Sequence, residues 1–284
     1  MAAPDTSIEL IPTDLAIGDA KSLSLDCSFF EIARIQSSGH PLFALAYEHL
    51  WAEFGAQDEM ESREVIAQRL NWHPARKMGD RWLCYEMFLV QRQGQFVAVR
   101  DHTAVVDTRQ RAPTAVLHLS HILVVPEWRR TGLAGWLRAW PIQTARSCLK
   151  AAGFPATCPI ALVVEMEQPD PNFSKRMTRI MAYERAGFKK LDPSLVKYLQ
   201  PDFRSGEEID ASGAPHPLSF NLLLRRIGRE QEPFISGAEV RGLVDSLYRM
   251  YSAGCRDKDM APLWQALDNY PKDDQAIPLI APSG

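Results

Sequence analysis

Residues 117–134 read LHLSHILVVPEWRRTGLA, an apolar run followed by a short basic turn and the start of a helical pattern. The run from Leu117 to Val125 is typical of a buried strand, and Pro126 ends it because proline offers no N–H to a neighbouring strand. A strand, a glycine-containing turn and a helix N-terminus together favour phosphate binding, since unpaired N–H groups at a helix start attract negative charge. Gly132 lets the backbone approach such a ligand closely.

Two segments resemble the GNAT N-acetyltransferase superfamily. The first is Arg129-x-x-Gly132-x-Ala134, which is similar to the acyl-CoA pyrophosphate loop of that family: Gln or Arg, two residues, Gly, one residue, then Gly or Ala. The second is AYERAGF at residues 182–188, which is similar to the family segment Tyr-Glu-(Lys/Arg)-x-Gly-Phe. They stand in the family's order with a predicted strand between them. A Walker loop is excluded because the Gly-Lys-Ser/Thr ending is absent.

The resemblance implies an α/β fold with a mixed, mostly antiparallel sheet and helices on both faces. It covers residues 28–228, which we interpret as one acetyltransferase domain. Residues 1–27 would form an N-terminal arm, flexible or pairing as an edge strand, and residues 229–284 a C-terminal helical extension. The extension carries an apolar stripe at helical spacing, which predicts a cover on the domain or a homodimer contact. Its members are Val240, Leu243, Leu247 and Met250.

The remaining pattern predicts alternating helices and strands. Helices are expected at 41–54, 62–70, 132–151 and 173–186, with Pro141 kinking or dividing the third. Strands are expected at 82–90, 96–106, 117–125, 160–166 and 218–227, the first two forming a hairpin, and one more between 188 and 199. Residues 109–113 and 201–217 read as loops, and the chain beyond 271 reads as a loose tail.

Composition narrows the classes of protein. The net charge is −3, so no bulk attraction to nucleic acid or to an anionic membrane is expected. No apolar run approaches the roughly 20 residues of a membrane span, and the N-terminus lacks the pattern of a signal peptide. The five cysteines are scattered without metal-ligand spacing, which favours reduced thiols in a cytoplasmic protein without a metal.

The resemblance implies acetyl-CoA as co-substrate. Backbone amides of the strand would hold the pantetheine arm and the acyl oxygen, and by register these belong to Ile122 and Val124. Arg176 stands where many family members have an asparagine that touches CoA, and it could reach the 3′-phosphate; a solvated basic face is the alternative. The loop would hold the pyrophosphate through Arg129, Arg130, Thr131, Gly132, Leu133, Ala134 and Gly135.

Two side chains are candidates for proton transfer. Tyr183 matches the family tyrosine that protonates the leaving thiolate, and a phenol with a pKa near 10 keeps its proton at neutral pH; a packed tyrosine at a helix end is the alternative. His118 lies on the predicted strand and could act as the base, with Ser120 on the same face, or it could be a hydrogen-bonded core histidine. For His121, on the opposite face, the core role is favoured. Weaker base candidates are Glu53, Glu86 and Glu165.

The sequence therefore predicts an N-acetyltransferase that moves acetyl from acetyl-CoA to a primary amine by direct attack in a ternary complex, since no cysteine stands where a nucleophile is expected. The acceptor is a small molecule or a peptide amine, and the sequence does not name it. A catalytically idle acyl-CoA-binding sensor or scaffold is the alternative.

Overall fold

The computed structural model describes residues 8–57, 59–109, 113–170 and 172–284. Within these ranges the chain forms two compact units, residues 1–158 and 159–284, which are described separately. The division falls inside the predicted 28–228 domain, whose boundaries stay predictions. Part of the N-terminal arm (1–7) and of the predicted polar loop (110–112) lies outside the described residues, as does Pro171. No helix of the described ranges is both long and apolar enough to cross a membrane.

The first unit contains an antiparallel sheet built around a long hairpin. Its two long strands join through Gln93 and Gly94, both with positive φ, as the tightest hairpin turns require. The sheet order is β1-β3-β4-β5, with β2 on β3 and β6 on β4. Its strands are β1 (Glu31–Ile35), β2 (Arg76–Met78), β3 (Arg81–Arg92), β4 (Gln95–Asp107), β5 (Ala115–His118) and β6 (Ile122–Val124).

The helices of the first unit follow the apolar periodicity of the sequence. They are α1 (Phe43–Phe54), α2 (Arg63–Leu70), α3 (Leu133–Ala139) and α4 (Pro141–Ala151). Ser62 caps α2 by accepting a hydrogen bond from the N–H of Val65. One core cluster joins the start of the chain, the hairpin and α3, and within it the rings of Phe88 and Trp140 meet edge to face at 5.9 Å.

The strands of the second unit run in the order β7-β10-β8-β12-β11, with β9 on β10. Every recorded pairing in it is antiparallel. Its strands are β7 (Ile160–Met166), β8 (Lys189–Leu191), β9 (Tyr198–Gln200), β10 (Leu218–Arg226), β11 (Phe234–Ser236) and β12 (Ala276–Ile280). Its helices are α5 (Ser174–Arg185), α6 (Gly206–Ser212), α7 (Gly237–Tyr251) and α8 (Asp257–Asp268).

The predicted α/β class, the mostly antiparallel pairing and the C-terminal helices are confirmed. Two loop predictions are wrong. Residues 201–217 contain α6, because Ser205 and Glu208 form a reciprocal capping box that starts a helix. The tail beyond residue 271 contains β12, which pairs with β8 and β11. The prediction missed the apolar run that forms β12 because it followed the turn residues of this segment.

The structure shows what covers the apolar stripe of the C-terminal extension. Val240, Leu243, Leu247 and Met250 are all buried on α7, which packs within the second unit. The chain itself therefore covers this stripe, the first of the two predicted outcomes. The predicted N-terminal arm is also ordered over its described part, as short 3-10 turns rather than an edge strand.

Candidate functional site

The strand before the basic turn is interrupted by a bulge, where a single strand was predicted. β5 and β6 both pair with β4, with Thr103 opposite His118 and Arg100 opposite Ile122. β4 advances three residues between these pairs while the facing chain advances four, so one residue is extra. Such a bulge bends the strand and redirects its side chains.

Alternate backbone N–H groups of β6 point away from β4. The flanking bonds to β4 come from the carbonyl of His121 and the N–H of Val125. Bonded and non-bonded positions alternate along an antiparallel ladder. The N–H groups of Ile122 and Val124 therefore point to the opposite edge, as the predicted register required. Within the described residues of the first unit, no strand pairs with that edge.

The basic turn has the backbone geometry of an anion-binding concavity. Arg130 (φ +63°) and Gly132 (φ +106°) are left-handed on either side of Thr131. A left-handed arginine costs on the order of 1 kcal/mol, and such alternation turns successive N–H groups toward one point. In the described chain, no hydrogen bond is recorded for the N–H groups of Arg130, Thr131, Gly132 and Ala134.

The two arginines of the turn differ in their contacts. Arg129 is exposed, and its Nε donates to the carbonyl of Val124 at 2.9 Å, which holds its guanidinium beside the end of β6. Arg130 is exposed as well. Thr131 closes the turn by donating from Oγ1 to the carbonyl of Trp128 at 2.8 Å. Positive charge and unpaired amides therefore occur together at the start of α3.

The helix after the turn is divided at Pro141, one of the two outcomes predicted for it. α3 ends at Ala139 and α4 begins at Pro141, while Trp140 between them has right-handed helical angles (φ −52°, ψ −41°). The N–H of Trp140 still bonds to the carbonyl of Trp136 at 2.8 Å. Proline has no N–H to continue this pattern, so the helix breaks there.

Gly132 and Gly135 also have a packing role that the sequence did not indicate. A Cβ on Gly132 would lie 2.8 Å from the Cα of Ser22, and a Cβ on Gly135 would lie 2.1 Å from the Oγ of Ser22. These glycines admit the N-terminal segment of the same chain on that side. The close approach of a phosphate to the backbone at Gly132 stays a prediction.

His118 is 2% exposed at the end of β5. Its Nδ1 lies 3.1 Å from the Oγ of Ser120, which accords with the predicted shared face. The base role and the core role both stay open for His118.

His121 is a core residue, as favoured, but it also forms an ion pair that the sequence did not indicate. Its Nδ1 lies 3.0 Å from Oδ1 of Asp101, and its Nε2 lies 2.9 Å from the carbonyl of Glu59. Tyr85 donates to the same carboxylate at 2.9 Å. Burial alone lowers the pKa of His121, but the Asp101 charge and hydrogen bonds raise it to about 9.

Glu86 is unsuited to the role of base. Burial would raise its pKa, but the hydrogen bond from His73 and the charge and hydrogen bonds of Arg34 lower it to about 2. His73, Cys84 and Glu86 place one ligand-type atom each within 4.8 Å of one another. Arg34 already gives this carboxylate a cation partner, with Nη2 2.8 Å from Oε2. The sequence did not indicate this cluster, because its members come together only in the fold.

The second unit contains the other two predicted site residues. Tyr183 lies in the last turn of α5, is 4% exposed, and its ring meets that of Phe188 edge to face at 5.0 Å. Arg176 is held within its own unit: Nη1 donates to the carbonyl of Gln168 at 3.2 Å and Nε lies 3.6 Å from Glu167. These contacts fix the direction of Arg176 without a ligand.

Glu165, a weaker candidate from the sequence, is the centre of a hydrogen-bonded cluster. It is half-buried near the end of β7 and accepts hydrogen bonds from Tyr198, from Gln200 at 2.8 Å and from Tyr251 at 2.8 Å. Burial, followed by the Glu165 charge, raises the pKa of Tyr198 well above its usual value. Tyr251 comes from α7, so its place beside Glu165 could not be found from local sequence.

No family model matches the chain, and no curated protein matches it. Among solved structures it is similar to an aminoglycoside acetyltransferase from an uncultured soil metagenomic sample, at 17% identity over 55% of this chain and 87% of the other, with a TM-score of 0.32. It is similar to a GNAT-family acetyltransferase from Streptococcus pneumoniae, at 15% identity over 70% of this chain and 100% of the other, with a TM-score of 0.33. It is also similar to an acyl-CoA N-acyltransferase from Pseudomonas aeruginosa, at 17% identity over 69% of this chain and 99% of the other, with a TM-score of 0.35.

Proposed function

We propose that the chain is a GNAT-type N-acetyltransferase, which moves acetyl from acetyl-CoA to a primary amine by direct attack in a ternary complex. The observation that carries the proposal is the pairing, within one unit, of an amide-lined basic turn with the outward strand edge of β6. The turn contains the left-handed residues Arg130 and Gly132, and the N–H groups of Ile122 and Val124 lie along the strand edge.

The residues present fit the two parts of such a ligand. A pyrophosphate suits the unpaired N–H groups from Arg130 to Ala134, with the exposed side chains of Arg129 and Arg130 adding charge. An extended pantetheine arm carries amides that can pair with a strand edge, as an added strand does. Ile122 and Val124 supply that edge, and Arg176 is proposed to reach the 3′-phosphate.

The chemistry needs two proton transfers. The amine nitrogen forms a bond to the acyl carbon while the carbon–sulfur bond breaks. His118 takes the proton that the amine loses, and Tyr183 gives its phenolic proton to the leaving sulfur. The N–H groups of β6 stabilise the negative charge that develops on the acyl oxygen. The acceptor is a small molecule or a peptide amine.

A second candidate function is favoured by one observation. His118 is 2% exposed and Tyr183 is 4% exposed, so both proposed proton carriers are shielded from solvent. A catalytically idle acyl-CoA-binding sensor or scaffold needs neither side chain to reach a substrate. This candidate shares the turn and the strand edge with the enzyme and differs from it only in turnover.

The deciding experiment is a screen of primary amines with acetyl-CoA, read by free thiol release, beside calorimetric titration of CoA. An enzyme releases thiol over many turnovers with at least one acceptor; a binder takes up CoA and releases none. Absence of CoA binding would exclude both. The scattered cysteines of the sequence, which show no metal-ligand spacing, support the proposed cytoplasmic location.

A further inference from the structure

The N-terminal segment, residues 14–24, runs along one side of the basic turn and of α3. Its 3-10 turn Ile17–Ser24 places Ser22 against the turn, where Oγ donates to the carbonyl of Gly132 at 2.7 Å. The indole Nε1 of Trp136 donates to the carbonyl of Ser22 at 2.8 Å. Ser22 is 1% exposed, so these bonds are shielded from water.

Two ion pairs fasten the same segment further along the helices. Arg138 on α3 donates from Nε to Asp19 at 3.1 Å, and both side chains are largely buried. Arg146 on α4 donates to both carboxylate oxygens of Asp14 at 2.6 Å. Two buried or partly buried arginine–carboxylate pairs make this a specific contact, because exposed pairs of this kind contribute little.

The segment contacts the turn on one side only. It meets the carbonyl of Gly132 and the Cβ sides of Gly132 and Gly135. No hydrogen bond from the N–H groups of Arg130, Thr131, Gly132 or Ala134 to this segment is recorded in the described chain. The segment therefore supports the turn from behind and leaves its amides available.

We infer that residues 14–24 are a positioning element for the turn, and that Ser22 and Asp19 hold the amides of residues 130–134 in the arrangement that binds a pyrophosphate. This rests on the proposed function for its ligand but not for its geometry. A left-handed arginine is held only where the surroundings determine it, and Ser22 is the neighbour that fixes Gly132. If the turn spends less time in this arrangement, affinity falls in the same proportion.

The test compares Ser22→Ala with Ser24→Ala, a matched control. The Oγ of Ser24 donates only to Lys21 in its own exposed turn, so its loss leaves the contact with Gly132 intact. In the ligand-free protein, hydrogen–deuterium exchange at the amide of Gly135, which bonds to the carbonyl of Gly132 at 3.0 Å, should be faster in Ser22→Ala than in Ser24→Ala. Calorimetry with CoA should give a dissociation constant raised about tenfold in Ser22→Ala alone, the usual worth of one buried hydrogen bond. Turnover at saturating acetyl-CoA should be unchanged.

Further variants test the contact between the segment and α3. In Gly135→Ala the new Cβ would lie 2.1 Å from the Oγ of Ser22 and 3.1 Å from the Cβ of Asp19, which pushes the segment away without changing residues 130–134. Adding Ser22→Ala removes the nearer of these atoms, so exchange in the double variant should be slower than in Gly135→Ala alone. Asp19→Asn should also speed exchange, because it removes the charge that pairs with Arg138.

The outcomes separate this inference from the proposed function. Equal exchange and equal CoA affinity in the Ser22 and Ser24 variants would overturn the positioning role. Tighter CoA binding after Ser22→Ala would also overturn it and would show that the segment blocks the turn. If the wild-type protein takes up no CoA, the proposed function fails, and the exchange measurements on ligand-free protein still decide whether the segment holds the turn.

Discussion

His121 and Asp101 form a buried ion pair that crosses the bulge between β5 and β6, with Nδ1 3.0 Å from Oδ1. Burial lowers the pKa of His121, but the carboxylate charge outweighs burial and raises it to about 9. Burial likewise raises the pKa of Asp101, and the charge and hydrogen bonds of His121 bring it well below the ordinary value. The carboxylate of Asp101 therefore favours the protonated form of His121.

This pair predicts how stability depends on pH. The histidine contribution is complete below its unfolded pKa of about 6.5 and is lost as the pH rises through 9; the aspartate contribution is complete above about 3.9 and is lost in acid. Stability from the pair should be greatest between about pH 4 and pH 6.5. The loss between pH 6.5 and 9 should be on the order of 2–3 kcal/mol.

Denaturant unfolding of His121→Gln and of the control His216→Gln, an exposed histidine, measures this term at several pH values. His121→Gln should be less stable and should lack the slope above pH 6.5, because the titrating group is gone. A slope that persists unchanged in His121→Gln would mean that another group carries the pH dependence.

The sequence predicted elements whose signal is local. β7 was predicted to the residue because its first five side chains are apolar and three of them are β-branched, and α5 was predicted because its pattern and the following Gly187 mark it clearly. The assignment of the amides of Ile122 and Val124 to the pantetheine arm rests on the family resemblance and stays a prediction. The bulge at 119–121 was not, because it depends on how β4 lies beside the strand.

Contacts between distant parts of the chain were beyond the sequence for a different reason. Ser22 and Gly132 are 110 residues apart, and Glu165 and Tyr251 are 86 apart. A pattern read in a short window cannot show which serine fills the space beside a glycine. For the same reason the sequence did not show that the N-terminal arm, predicted to be flexible or an edge strand, contacts Gly132 and Trp136.

Tyr183 provides the first test of catalysis. Tyr183→Phe removes one oxygen and leaves the edge contact with Phe188 intact, so the fold should survive. If Tyr183 protonates the leaving thiolate, turnover should fall by about 10² to 10⁴ while CoA affinity stays nearly constant. Steady-state kinetics and calorimetry measure the two quantities. Tyr270→Phe, which loses a hydroxyl bonded to Lys197, is the control for losing a buried phenol in the same unit. Full turnover in Tyr183→Phe on a verified acceptor would refute the acid role.

His118 provides the second test. His118→Ala should slow the reaction mostly near neutral pH and remove the lower ionisation from the pH profile of kcat/KM, because the base that titrates there is lost. The rate should recover at high pH, where the amine acceptor loses its proton to solvent. Ser120→Ala is the companion variant, since its Oγ lies 3.1 Å from Nδ1 of His118. It should shift that ionisation without removing it. An unchanged pH profile in His118→Ala would contradict the base role and favour the core role of this histidine.

Glu165 and Tyr251 link the C-terminal extension to the end of β7, and their coupling is the last prediction. Tyr251 is 2% exposed and donates to Oε2 of Glu165 at 2.8 Å, so the extension supplies part of the environment of this carboxylate. Tyr251→Phe should cost about 1–3 kcal/mol of unfolding free energy, because a buried hydrogen bond to a charged group is lost.

A double-mutant cycle with Glu165→Gln isolates the pair. The glutamine keeps the shape of the side chain but removes the charge, so Tyr251→Phe should cost less in that background, with a coupling energy of about 1 kcal/mol measured by denaturant unfolding. Turnover in the same four proteins gives the functional reading. If Glu165 contributes to the proposed reaction, Tyr251→Phe should change turnover in the wild-type background and leave it unaffected in Glu165→Gln. Costs that simply add, in stability and in turnover, would show that α7 supports the unit through packing alone.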